Sequence, residues 1–520
     1  MSHRQPRSAS SGFIGRCVLV AMAIAAAAAA PLAQGQVPIS GTSLNPDGGN
    51  QNDFAAVTAC NRAPQVGVLY RNSETEPHLA VNPLNPLNMI AGWHQDRWDS
   101  GGAQSLGAAY TVNGGATWTQ VVIPFTRCSG AAPGSAGDYE RASDPWISFG
   151  PDGTAHYMAL VTDNSVNENA MVVARSTDGG ASWSLPVVIA RSPAQDPVKA
   201  SLFNDKNTIT ADPHDARYVY ATWTLFRTGF VSLVFSRSTD GGLTWSPAMP
   251  IATMGKIQKA ERTTFRQGAQ VVVLADGTLV NAFFRVAFDS STGTARLEQA
   301  ILRSTDRGEH WERSDIAVAK FGGVGAFDPE LGIPVRDAST LPSVAASRLS
   351  NRVYIAWQDA FANGLGQVGV HVAVSSDRGK TWSAPVRANQ GTSNEVQAFL
   401  PTVTVNAQGM VGVLFYDFRN DVLGDFPLST DVHLSLFNPD LQYLGERRLS
   451  QQSFDLRMSA IARGYFPGDY VGLSSTGADF VAAFTRTNDV GVRAAWPPGS
   501  DGVFVDSRDR QSIVFVRQAP

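Results

Sequence analysis

The sequence predicts an all-β protein, a single β-propeller of seven four-stranded blades, on three observations. A short phrase recurs along the chain, its copies are nearly evenly spaced, and each interval between them holds the same order of strand and turn signals. The phrase is clearest in Ser176-Thr177-Asp178-Gly179-Gly180-Ala181-Ser182-Trp183 and Ser238-Thr239-Asp240-Gly241-Gly242-Leu243-Thr244-Trp245. It returns at Ser304 to Trp311 around Asp306, at Ser375 to Trp382 around Asp377, and at Thr111 to Trp118, where Asn113 replaces the aspartate. Eroded copies are expected at Asn438-Pro439-Asp440 and Ser507-Arg508-Asp509, which puts successive copies 62 to 71 residues apart. At four strands per interval this spacing fits radial blades, whose closure leaves no exposed sheet edge. Six blades is the alternative, if the first or last unit belongs to an added strand group.

The chemistry of the phrase is that of a hairpin. A short carboxylate or amide accepts from nearby backbone N–H groups, a glycine tolerates positive φ, and a tryptophan enters the next strand. Turn chemistry alone accounts for Asn113, Asp178, Asp240, Asp306 and Asp377, so they are assigned a structural role. The phrase resembles the Asp-box, or BNR, repeat of exported bacterial sialidases and related propellers. That resemblance places the boxes between the two outer strands of each blade, on the face opposite the ligand.

From the N-terminus, Arg4, Arg7 and Arg16 precede an apolar run from Cys17 to Ala30 and small residues around Ala33 and Gly35. This order predicts a signal peptide over 1–35, cleaved near Ala33 or Gly35, and a secreted or periplasmic protein. No later stretch reaches the ~18 apolar residues of a membrane span. Residues 36–75, rich in Gly, Asn, Ser and Pro at their start, read as an extended leader, with Val66 to Tyr70 adding a strand that closes the ring. The propeller is expected over 76–520. Loss of the signal leaves Cys60 and Cys128, which are expected to pair in an oxidising compartment. Closing that loop stabilises the fold by roughly 4 kcal/mol on the chain-entropy model. The net charge of −4, with 17% charged residues, gives no basic surface for nucleic acid. The eight histidines show no ligand spacing with cysteines or carboxylates, so no metal or cofactor is expected, and the chain is expected to act as a monomer.

Within each unit, function is sought before the first strand and after the second, because both places lie on the face away from the boxes. Charge gathers there. Units 6, 7, 1 and 2 become neighbours when the ring closes, which brings Tyr416, Asp417, Arg419, Asp469, Tyr470, Glu76, Asp96, Arg97, Glu140 and Arg141 to one sector of the mouth. Arginines hold a carboxylate bidentately, and carboxylates beside a tyrosine suit glycoside chemistry. The sialidase resemblance implies Tyr470 as nucleophile, Glu140 or Glu76 as its partner, Asp96 or Asp469 as the acid, and Arg97, Arg141 and Arg419, with Asp417 beside them, on an anionic group. The family's Phe/Tyr-Arg-Ile-Pro signature has its nearest counterpart in Phe265-Arg266-Gln267-Gly268, which makes Arg266 a further substrate-binding candidate although Ile-Pro is missing. The function implied is an exo-acting glycosidase on terminal, acidic sugars of extracellular glycans. The alternative is a non-catalytic propeller that binds glycan or protein through the same mouth.

Overall fold

The computed structural model describes residues 35–45, 60, 65–163, 167–193, 202–227, 230–252, 255–256, 261–289, 291–360, 367–393, 395–494 and 503–520. The expected signal peptide lies outside the described residues, apart from Gly35. Among the described residues no helix is long and apolar enough to cross a membrane.

The fold is an all-β propeller. Its strands fall into six hydrogen-bonded sheets among the described residues, within which they make antiparallel runs of four. Their first strands are Thr75–Val81, Arg141–Phe149, Phe203–Ala211, Glu261–Val273, Ser343–Ala346, Ala398–Val405 and Gly472–Thr476. These pack side by side in a cycle, the last returning to the first. Strands such as Val353–Asp359 are buried along their whole length because a neighbouring sheet covers each face, so their sequence is a run of apolar residues rather than an alternation. The core lies between successive groups, as where Met158 and Met171 of the second meet Ile209 and Trp223 of the third.

Ring closure differs from the expectation. The outermost strand of the seventh group is Val37–Pro38, paired antiparallel with Gln511–Gln518. Gly67–Tyr70 instead flanks the first group, antiparallel to Met89–Trp98 and parallel to Val503–Asp506. The leader is therefore part of the seventh group. Gly468 fixes the seam between the last and first units: at φ 131° a side chain is strained, and a Cβ there would lie 2.7 Å from the Glu76 backbone nitrogen. Cys60 and Cys128 form a disulfide with a Cα–Cα separation of 5.1 Å. Such a bond accords with an oxidising extracellular or periplasmic setting.

The repeated phrase forms the hairpin between third and fourth strands. Asp178 Oδ1 accepts from the Ser182 N–H at 2.9 Å, and Ser176 Oγ accepts from the Gly180 N–H at 2.9 Å. Asp240, Asp306 and Asp377 repeat the contact to Thr244, His310 and Thr381 at 2.8–2.9 Å, and Asn113 to Thr117 at 3.0 Å. Trp183, Trp245, Trp311 and Trp382 pack against the inter-blade cores. Two expected copies shift. In the sixth unit Asn438, not Asp440, takes the acceptor role, from the Gln442 N–H at 2.9 Å. Asp509 precedes the third strand of the seventh unit, where Asn488 donates to it at 2.9 Å, and so it forms no box hairpin. Asp178→Ala is expected to lower stability by about 1 kcal/mol, since one turn loses its acceptor while its N–H groups stay solvent-accessible. Urea unfolding of the variant measures it.

Candidate functional site

The centre of the propeller is shaped by breaks in the first strands. In five units the pairing with the second strand slips, between Thr75 and His78, Ser143 and Trp146, Asp205 and Thr208, Gln267 and Gln270, and Phe399 and Thr402. Each slip contains a left-handed residue: Glu76 (φ 56°), Asp144 (55°), Lys206 (55°), Gly268 (78°) and Leu400 (55°). A bulge re-aims the side chain that it carries, and a left-handed non-glycine costs of order 1–3 kcal/mol unless its surroundings hold it. Three of the five carry charge, in three consecutive units. Pro77, Pro145 and Pro401 follow directly, at positions where a missing N–H costs the ladder nothing.

These side chains converge with residues from before the seventh first strand. Tyr470 Oη donates to Asp144 Oδ2 at 3.3 Å, and the Lys206 backbone N–H donates to the same oxygen at 2.9 Å. Lys206 Nζ bonds Asp469 Oδ2 at 2.5 Å and lies 5.1 Å from the Tyr470 ring centroid. Arg336 grips Asp469 with Nε and Nη2 at 3.3 and 3.1 Å. Glu76 Oε1 accepts from the Asp469 N–H at 3.1 Å, while its Oε2 stands 2.9 Å from His94 Nε2. The Phe466 ring is clasped by two guanidiniums, with Arg97 and Arg336 centred 4.6 and 4.5 Å from it. Trp146 packs edge-on against Tyr470 and tilts against His78.

Burial sets the protonation of the cluster. It disfavours an ionised Asp469, but the charges of Arg336 and Lys206 outweigh it and hold that carboxyl far below the usual range. Asp205, beside Lys206, is pushed up to about 7 by burial that Lys206 only partly offsets. Asp337 is raised to about 6 by burial. Burial, with Asp144 beside it, raises the Tyr470 phenol well above its ordinary value, so the tyrosine is neutral and gives its proton only as a bond forms. The cluster thus separates a fixed carboxylate from a carboxylic acid that carries a proton near neutrality, the contrast that acid/base chemistry requires.

The residues expected from sequence divide. Glu76, Asp469 and Tyr470 meet in the cluster, and Arg97 lies at its edge on Phe466, its guanidinium lowered to about 9 by burial. Asp96 is fully buried among Ser43, Asn45, Arg71 and the Asn72 N–H at 2.6–3.1 Å, so it anchors the leader. Glu140 and Arg141 share Gln65, at 3.1 and 2.7 Å, and Arg141 also stacks on Trp98. Asp417 pairs with Arg419, which also meets Glu446 on the fourth strand, away from the centre. Arg266 pairs with Asp315 at 2.8 Å, in a network with Arg285 and Glu298. Hydrogen bonds, ion pairs and a cation–π contact account for these residues.

Sequence reasoning missed Asp144, Asp205, Lys206, Arg336 and His94 as site residues. Three of them, Asp144, Asp205 and Lys206, lie at the bulges within first strands, and the charged residue followed by proline at Glu76 and Asp144 marks the bulge. Arg336 lies between repeats and carries no such signal. The histidine expectation is corrected: Glu76, His94 and Asp144 bring ligand atoms within 4.8 Å of one another. Their second-neighbour cations Lys206 and Arg336 already supply positive charge, and the Asp144 oxygens are taken by Ser143, Lys206 and Tyr470. A cavity of about 480 Å³ lies beside Tyr470, lined also by Trp146, His78, Asp337, Asp469 and Gln270.

No family model and no curated protein matches the sequence. Solved structures with a similar chain path include the Hadza microbial sialidase Hz136, 14% identical over 84% of this chain and 75% of that one, with a TM-score of 0.44. Penicillium chrysogenum α-L-arabinanase complexed with arabinobiose is 11% identical over 75% and 99%, with a TM-score of 0.42. A polysaccharide lyase, ulvan lyase of family PL25, is 9% identical over 81% and 93%, with a TM-score of 0.46. This chain is similar in fold, at low identity, to β-propellers that act on carbohydrates.

Proposed function

We propose that the protein is an exported glycoside hydrolase acting on terminal sugars of extracellular glycans. The observation that carries this reading is the Tyr470 hydroxyl on the Asp144 carboxylate at 3.3 Å, beside a cavity. Tyr470 attacks the anomeric carbon as its proton passes to Asp144, and Asp205 gives a proton to the departing glycosidic oxygen. A water then attacks the glycosyl–tyrosine, giving its proton to Asp205, and Tyr470 recovers its own from Asp144. Asp205 and Asp144 take the roles that the sialidase resemblance gave to Asp96 or Asp469 and to Glu140 or Glu76. Lys206 and Arg336 are offset by Asp469 together with Asp144, so a sugar carboxylate meets a charge-balanced cluster, and neutral sugars are the better substrates on this reading.

A panel of fluorogenic glycosides, neutral and acidic, with wild type and Tyr470→Phe is the test. Hydrolysis of at least one substrate is expected, lost in the variant; hydrolysis of none sinks the proposal. Preference for an acidic sugar overturns the charge argument alone. Because Asp205 must carry its proton, and its folded value is raised to about 7, the rate is expected to fall as pH rises through about 7. Asp205→Asn is expected to remove both most of the rate and that limb of the profile.

A further inference from the structure

An acid that protonates a departing oxygen is also the neighbour of whatever that oxygen carries, so the surroundings of Asp205 bear on the second ring of a saccharide chain. Asp205 is half-buried and open to a ligand. In one direction along its strand comes Lys206, whose N–H meets Asp205 Oδ1 and Asp144 Oδ2, each at 2.9 Å, and through Asp144 comes Tyr470. That is where the terminal sugar lies. The other direction is aromatic. Asp205 faces Thr224 across the ladder, and Phe226, two positions on and so about 7 Å away, faces Phe203. The Phe226 ring stands 6.0 Å from that of Phe265 on the fourth unit, and all three phenylalanines are half-buried.

This gathering of aromatic rings is particular to the sector beside Asp205. Phe203 and Phe265 stand three residues before the left-handed residues of their units, Lys206 and Gly268, and in the other bulged units that position holds Ser73, Arg141 and Gln397. Gln267 adds a polar group. Its Nε2 donates to Asp205 Oδ2 at 3.3 Å, and its carbonyl oxygen has no partner among the described residues, on a residue that is half-buried and not enclosed. Arg266, between Phe265 and Gln267 in sequence, is tied to Asp315 in the network with Arg285 and Glu298, so the backbone that carries both is fixed.

We infer that the sugar departing with the glycosidic oxygen lies on Phe226 and Phe265, so that the protein recognises the second ring of a saccharide chain as well as the terminal one. The inference rests on the reading of Asp205 as the acid. A sugar ring has an apolar C–H face for the phenyl rings and hydroxyls that donate, one of them to the Gln267 carbonyl oxygen beside the acid, whereas an alkyl group meets only the rings. The substrates are therefore oligosaccharides, and simple alkyl glycosides of the same terminal sugar are poorer ones.

Xylobiose, cellobiose, mannobiose, galactobiose and arabinobiose, each matched with the glycosyl fluoride of its terminal sugar, test this. Fluoride is a single-atom leaving group that reaches neither ring, so the ratio of kcat/KM for disaccharide to that for fluoride isolates the second ring. Wild type is expected to cleave both members of at least one pair. The ratio is expected to fall about ten-fold or more in Phe226→Ala and in Phe226→Leu, which keeps most of the packing volume without a flat face, and to recover in Phe226→Trp. Circular dichroism of the variants checks their folding. Cleavage of a fluoride but of no disaccharide by wild type, or an unchanged ratio in folded Phe226→Leu, overturns the inference and leaves the catalytic reading standing. Cleavage of neither member of any pair by wild type sinks that reading, and the inference with it.

Discussion

Asp469→Ala is expected to lower the unfolding free energy by about 3 kcal/mol, read from urea denaturation at neutral pH. The carboxylate is 4% exposed and is the shared partner of Lys206 and Arg336, whose side chains are 12% and 27% exposed. Its removal leaves two cations facing each other in a site built to hold them to one anion. Breaking a buried pair costs about 3–5 kcal/mol, and the lower end applies because Arg336 keeps a quarter of its side chain in water. Arg217–Asp215 supplies the contrast: with the arginine 69% exposed, Asp215→Ala is expected to cost under about 1 kcal/mol. The pH dependence has a definite sign. Asp469 is depressed in the folded state, so its contribution is complete above the ordinary carboxylate range and is lost only as pH falls far below it. Equal losses from Asp469→Ala and Asp215→Ala would show that the central pair is solvated like a surface one.

Tyr470→Phe is expected to separate stability from activity. The hydroxyl makes one hydrogen bond, to an Asp144 oxygen that keeps the Lys206 N–H, so folding should lose only about 1 kcal/mol. Hydrolysis should fall at least ~10³-fold, since removal of a nucleophile disables the whole catalytic unit. Asp144→Asn is expected to lose about 10²–10⁴-fold, through loss of the base alone. The Trp146 and Lys206 contacts to the ring survive the first change, so a large loss of folding in Tyr470→Phe would assign the tyrosine to the core instead.

Much of the fold is legible in the sequence because its determinants are local. Asp178 and Ser182 are four residues apart and make their own turn wherever the chain goes, so the repeat could be read without knowing what packs on it. The last unit could not be read in that way: Val37 and Phe515 pair across almost the whole chain, and no local pattern marks a two-residue strand. The site was half legible for the same reason. Tyr470 and Glu76 stand in regular slots, but which slot charges turn inward depends on the bulges, and at the charged slots these are marked in sequence only by Glu76-Pro77 and Asp144-Pro145. Asp96 and Asp417 stand in slots that looked equivalent, yet the leader provides Asp96 with partners and Arg419, itself tied to Glu446 of the fourth strand, pairs with Asp417. Arg336 reaches the centre from a segment outside the repeat, where spacing carries no information.

The central claim is that a tyrosine at the start of the last blade bonds covalently to a sugar while a carboxylate from the second blade takes its proton. Once a substrate is found, the matching 2-fluoro glycosyl fluoride, which slows release of a glycosyl-enzyme, can be incubated with the protein and the digest mapped by mass spectrometry. The account predicts one added glycosyl mass, on the peptide containing Tyr470, at that residue, and no adduct in Tyr470→Phe. An adduct on Glu76, Asp205 or Asp469, or unchanged labelling in Tyr470→Phe, would contradict it.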